Sequence, residues 1–242
     1  MNGGKQNMSI KAVLFDLDGT LLPMDQEAFT KMYFKLLAGW LAPKGYEPAK
    51  LVENIWAGTA AMVKNDGTCT NEDAFWKSFT SAYGPKALED KAYLDEFYSA
   101  DFLRTKEICG FSGAVREILD LLHATGKTLV LATNPIFPAV ATENRMRWTG
   151  AVPEDFVLYT TYENCSACKP NPQYYRDIAQ LIGVKPEECL MVGNDVQEDM
   201  VAQEIGMQVF LLTDCLINKK DRDISAYPQG GFNELKAYLE TI

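Results

Sequence analysis

The stretch KAVLFDLDGT, residues 11–20, runs a short apolar segment straight into two carboxylates, Asp16 and Asp18. Val13, Leu14 and Phe15 read as a buried strand, and Asp18-Gly19 as the turn that ends it. Side chains at i and i+2 of an extended chain share a face, so Asp16 and Asp18 crowd one small volume unless positive charge lies between them.

Downstream, apolar runs of strand character alternate with segments of helical periodicity. Residues 112–126 read as helix, 128–134 as strand, 139–148 as helix, 156–161 as strand and 171–183 as helix. The series continues with strand at 189–195, helix at 196–206, strand at 208–214 and a last helix at 232–240. Gly126, Gly183 and Gly206 fall where helices should stop. Alternation of this kind predicts an α/β protein with a doubly wound, Rossmann-like parallel sheet. Residues 215–231 read as a polar connection.

One region breaks the alternation. Residues 22–105 show helical stripes and no strand: Phe29, Met32, Leu36 and Trp40; Leu51, Ile55, Thr59 and Met62; Phe75, Phe79 and Tyr83; Leu94, Phe97 and Tyr98. Thr70 and Asp73 have the spacing of a capping box before the third stripe. The expectation is an all-helical cap domain, 22–105, inserted into a discontinuous α/β core made of 1–21 and 106–242.

Composition narrows the function. The 242 residues are 47% hydrophobic and carry a net charge of −10, which suits a folded chain and repels a nucleic-acid backbone. No leader-like or membrane-spanning apolar run is evident, so a cytoplasmic protein, monomer or homodimer, acting away from membranes is expected. Six cysteines are too sparse for a disulfide scaffold and are expected to be reduced. Cys165 and Cys168 form a CxxC, but zinc needs two further ligands and the single histidine, His123, lies in a core helix.

In an open parallel sheet functional groups gather beyond the carboxyl ends of the strands. There this chain places Asp16, Asp18 and Thr20, then Thr133 and Asn134, then Asn194 and Asp195, with Lys169 before the helix that follows the third strand. Singly, each is an ordinary turn, strand exit or helix-start residue. In this order, at successive strand ends, the sequence resembles the haloacid dehalogenase superfamily of aspartate-nucleophile phosphotransferases. Its four motifs correspond to Asp16-Leu17-Asp18-Gly19-Thr20, Thr133, Lys169-Pro170, and Gly193-Asn194-Asp195 with Asp199. Asn194 stands where many members carry an acid, and Pro135 where glycine is frequent.

The resemblance implies a Mg²⁺-dependent phosphomonoester hydrolase acting on a small phosphorylated metabolite. Asp16 would be both nucleophile and metal ligand, Asp18 general acid/base and a main-chain metal ligand, and Asp195 a further metal ligand. Thr133, Asn134 and Lys169 would hold the phosphoryl oxygens, and Asn194 and Asp199 would stand just behind the metal. An acid at Asp18 suits protonation of an alkoxide and is not needed to expel halide, which argues against a dehalogenase. The cap would select the substrate, and the turn Lys64-Asn65-Asp66-Gly67 is a candidate for reaching the site. A mutase would be expected to use a cap histidine, and a phosphonate hydrolase a cap lysine such as Lys31 or Lys64. A non-catalytic metabolite-binding module on the same scaffold is the alternative of another class.

Overall fold

The computed structural model describes residues 9–242; residues 1–8 of the expected core segment lie outside the described residues. Among the described residues six strands are present: β1 (Ala12–Phe15), β2 (Thr128–Leu131), β3 (Leu158–Tyr159), β4 (Cys189–Gly193), β5 (Gln208–Leu212) and β6 (Gln229–Gly230). They form one parallel sheet in the order β3-β2-β1-β4-β5-β6. The chain therefore works outward from β1 to β3 and then returns to β4, which creates a topological switch point between β1 and β4.

The alternation within β1 shows why the sheet needs cover on both sides. Val13 and Phe15 join an apolar cluster containing Val115, Ile118 and Leu122 of α6 (Ala114–Ala124) and Leu235 and Leu239 of α9 (Phe232–Leu239). Ala12 and Leu14 join the cluster on the opposite face, with Tyr174, Tyr175 and Ile178 of α8 (Pro172–Leu181). All four β1 side chains are fully buried, and burial of each large one contributes about 1.5–3 kcal/mol.

Between β1 and β2 the chain forms α1 (Gln26–Leu41), α2 (Pro48–Val63), α3 (Asn71–Tyr83), the single turn α4 (Lys86–Glu89), α5 (Lys91–Ser99) and a 3₁₀ stretch, Asp101–Ile108. The starts of α1, α2 and α3 have side-chain caps. Asp25 accepts from Ala28 N at 2.9 Å, and Glu47 from Ala49 N and Lys50 N at 3.0 and 2.8 Å. Thr70 accepts from Asp73 N at 3.1 Å, which is the one half of the expected capping box that forms. Gly58 lets α2 approach α3 closely, because a Cβ there would overlap the Phe75 ring.

These helices are anchored to the loops above the sheet by Asn71, which is fully buried. Its Nδ2 donates to the carbonyls of Pro135 and Ala167 at 3.2 and 3.3 Å, and its main-chain N–H donates to Cys165 O at 2.7 Å. Asn65 Nδ2 in turn donates to Asn71 Oδ1 at 2.9 Å.

Three segments differ from the sequence reading. Residues 196–206 do not form an α-helix: the chain turns and then runs as a 3₁₀ stretch, Met200–Ile205. Asp195 Oδ1 accepts from the N–H groups of Gln197 and Glu198 at 2.7 and 3.0 Å, as an N-cap does, and Asp199 N donates to Asp195 O at 2.9 Å, but the bonds that follow have 3₁₀ spacing, Ala202 N to Asp199 O at 3.2 Å and Gly206 N to Gln203 O at 3.0 Å. The third strand contracts to two residues at the sheet edge. Inside the polar connection, Gln229 and Gly230 add a sixth strand beside β5. Among the described residues no helix is long and apolar enough to cross a membrane.

Candidate active site

The register places the site. Phe15 pairs with Leu131 on one side and Val192 on the other, so Asp16, Thr133 and Asn194 leave three adjacent strands at nearly the same height. They line a cavity of about 320 Å³ together with Asp18, Asn134, Asp195, Glu198 and Asp199, with helical residues forming its upper wall.

Asp16 is only 8% exposed and both its oxygens are engaged. Lys169 Nζ donates to Oδ1 at 2.8 Å and to Asp199 Oδ1 at 2.7 Å. The Thr20 hydroxyl lies 3.0 Å from Asp16 Oδ2 and 3.0 Å from Asn194 Oδ1, and its single proton serves one of them at a time. Burial pushes the Lys169 ammonium down, but Asp16 and Asp199 outweigh it and hold it well above the usual lysine range. Burial pushes Asp199 upward despite that contact. The positive charge required by the crowding of residues 16 and 18 is thus supplied in part by Lys169.

Asp199 also accepts from Asp195 N at 2.9 Å, fixing the loop after β4. Gly193 makes room for this carboxylate, since a Cβ there would overlap it. Asn194 is buried and structural in its contacts: Nδ2 donates to Cys215 O at 2.7 Å and Oδ1 faces Thr20. Thr133 is held by its carbonyl, which accepts from the hydroxyls of Thr160 at 2.7 Å and Tyr174 at 2.8 Å.

Two participants were not read from the sequence. The first is Arg145, on α7 (Ala139–Trp148), which is fully buried and pairs through Nη1 with Asp18 Oδ2. Its guanidinium lies 4.4 Å from the Phe137 ring centroid, and Nε donates to Ala141 O at 3.2 Å. An arginine in AVATENRMRW, which has no clear apolar stripe, looks like a surface residue; only a tertiary contact brings it to Asp18. Burial pushes the Asp18 carboxyl up, with Arg145 opposing and Asp16 reinforcing. Asp18 Oδ1 has no hydrogen-bond partner.

The second is Glu198. Asn134 Nδ2 donates to Glu198 Oε2 at 3.0 Å, and burial pushes the glutamate up to about 7. Its position between Asp195 and Asp199 suggested only an acid at a helix start.

The residues expected of other reactions do not line the cavity. His123 sits 3.5 Å from Asp155, which also takes Arg116, and Lys31 and Lys64 are exposed. The turn at residues 64–67 closes on itself, with Asp66 accepting from Thr68, and is not part of the cavity wall. Cys165 and Cys168 are free thiols, both pushed up to about 12 by burial; Cys168 Sγ accepts from Asn71 Nδ2 at 3.3 Å. Among the described residues no three His, Cys, Asp or Glu side chains converge as a metal cage. The expected Mg²⁺ set needs only two carboxylates and a carbonyl.

An acid after β1, a lysine bridging it to the acid at the end of motif four, and a threonine after β2 are the arrangement of one hydrolase family. The chain belongs to the haloacid dehalogenase-like hydrolases, whose sequence model matches residues 10–205. A relative, Hexitol phosphatase A of Escherichia coli (strain K12), is 26% identical over 188 residues, covering 76% of this chain and 74% of that protein. Solved structures share the fold. A HAD phosphatase from Thermococcus onnurineus matches with TM-score 0.60 at 20% identity, covering 95% of this chain and 98% of that one. A 2-haloacid dehalogenase from Pseudomonas syringae pv. Tomato DC3000 matches with TM-score 0.64 at 22% identity, covering 96% and 99%.

Proposed function

We propose that this hydrolase cleaves phosphate monoesters in two steps through Asp16. The observation that carries the reading is the Lys169 bridge from Asp16 to Asp199, with Thr20 on the other Asp16 oxygen. It holds a carboxylate at the cavity floor as an oriented anion beside a fixed cation.

In the first step an Asp16 oxygen forms a bond to phosphorus while the bond from phosphorus to the alcohol oxygen breaks. That oxygen leaves with the electron pair and takes a proton from Asp18. In the second, water attacks phosphorus, gives its proton to Asp18, and the phosphorus bond to Asp16 breaks, regenerating the carboxylate. The raised affinity of Asp18 for its proton suits the first step. Thr133 and the Asn134 main chain receive the phosphoryl oxygens, and Lys169, held against Asp16 and Asp199, adds its positive charge from behind the cavity wall.

The residues present fit a divalent cation. Five carboxyl groups, Asp16, Asp18, Asp195, Glu198 and Asp199, line the cavity, and the adjoining buried cations are Lys169 and Arg145. A phosphate anion could not enter that field without more positive charge. Asp16 and Asp195, with the main-chain carbonyl of Asp18, offer hard oxygens suited to Mg²⁺. The ion would neutralise charge on the transferring phosphoryl group. The helices at 22–105 act as the cap, closing the cavity against water during transfer.

The test is phosphate release from p-nitrophenyl phosphate with Mg²⁺ and with EDTA. Wild type should turn over only with the metal, and Asp16→Asn should lose roughly 10⁴-fold or more while remaining folded. Wild-type-like turnover by that variant would overturn the mechanism.

A further inference from the structure

Resting on the phosphatase reading, we propose that the leaving group is an uncharged, largely apolar alcohol, so that the phosphate is the substrate's only anionic group. The upper wall of the cavity is built from Phe29, Tyr33 and Phe34 of α1, Ile55 and Trp56 of α2, and Phe75 of α3. Phe34 and Trp56 pack as a tilted pair at a centroid distance of 5.4 Å, and Trp56 is 51% exposed, which makes it an aromatic lip.

No lysine, arginine or histidine lines this cavity among the described residues. The adjacent cations are already engaged: Arg145 with Asp18, and Lys169 with Asp16 and Asp199, and each is 1% exposed. A carboxylate or second phosphate on the leaving group would be desolvated beside five acids with no cation of its own, a cost that binding would have to overcome.

A polyol is served little better. The Tyr33 and Tyr98 hydroxyls lie 3.2 Å apart, so one donates to the other and a single O–H proton is left between them, and the Thr59 hydroxyl donates to Ile55 O at 2.9 Å. Away from the acids and amides of the floor, Gln26, Thr30 and Tyr162 are the polar side chains left to meet a row of hydroxyls. An aromatic or branched aliphatic group instead matches the wall in polarity, and the volume is that of a small-molecule site.

The experiment compares 2-phenylethyl phosphate, sorbitol 6-phosphate and phosphoglycolate, esters of unactivated alcohols, by kcat/KM with Mg²⁺. In parallel, calorimetric binding of 3-phenylpropylphosphonate and 3-phosphonopropionate, whose carbon–phosphorus bonds resist this chemistry, reads the cavity independently of turnover. The phenylethyl ester should exceed the other two by at least about 10-fold, in line with what an apolar pocket discriminates, and the phenyl phosphonate should bind more tightly by a similar ratio. Trp56→Ala should shrink both ratios. Turnover of all three esters at comparable rates, or preference for phosphoglycolate, would overturn the inference and leave the phosphatase reading standing. No turnover of any ester, with selective binding of the phenyl phosphonate, would sustain the apolar preference and remove the phosphatase reading. Equal binding of the two phosphonates would overturn the inference whatever the turnover.

Discussion

Asp18 is gripped by a cation that lies outside every motif of the family. Arg145 is fully buried, and its partner's second oxygen has no hydrogen bond, so removing the guanidinium strands a charge in a desolvated place. Arg145→Met should cost about 3–5 kcal/mol in urea unfolding. The double variant Asp18→Asn, Arg145→Met should recover part of that loss, and strict additivity would show that the pair is not coupled. Glu198 makes a pH-dependent prediction. Burial lets the folded protein keep this proton up to about pH 7, whereas an unfolded chain releases it near about 4.3. Between those values the native state binds more protons, so this group's contribution to stability declines as pH rises through the window and is lowest above it. In EDTA, Glu198→Gln should therefore gain on wild type by about 2 kcal/mol between pH 5 and pH 8, a relative rise in Tm of several degrees. A difference that does not change with pH would contradict the assignment.

Two joints between elements carry comparable weight. The end of β4 needs the space at Gly193, because Asp199 occupies the volume a side chain would take. Gly193→Ala should displace Asp199 from Lys169, destabilise the fold by about 1–3 kcal/mol and reduce turnover; full retention of both would show that the loop relaxes freely. The start of α3 depends on Asn71, and Asn71→Leu leaves the Pro135 and Ala167 carbonyls buried without that donor, at a cost of about 1–3 kcal/mol measured by urea unfolding. The long elements were legible in the sequence because their apolar periodicity is local: the strands at 12–15, 128–131, 189–193 and 208–212, and the helical stripes between 26 and 99. What was misread depends on distant partners. Residues 196–206 have helical composition, but the Asp199 side chain is tied to Lys169, 30 residues away, and to Asp195 N, and the chain after it winds with 3₁₀ spacing. The same division holds at the site. The acids, threonine and lysine announce themselves at strand ends, whereas Arg145 reaches Asp18 from 127 residues away.

At the scale of the whole molecule the sheet and the helices at 22–105 share one apolar cluster, in which Phe15 and Leu131 of the strands join Phe29, Phe75 and Phe97 of the helices. The cavity lies where acidic strand ends face aromatic helices, and the proposed mechanism would divide its tasks accordingly: charge and proton transfer below, recognition of the alcohol above. This division rests on Asp16 becoming covalently attached to phosphorus. The most direct test is to quench wild type during turnover of p-nitrophenyl phosphate with Mg²⁺, reduce with borohydride and sequence the peptides by mass spectrometry. An acyl phosphate at Asp16 is reduced to homoserine, and the account predicts that conversion at residue 16 and at no other acid. Reduction at another carboxylate, or steady turnover with Asp16 unmodified and competent to trap, would contradict it.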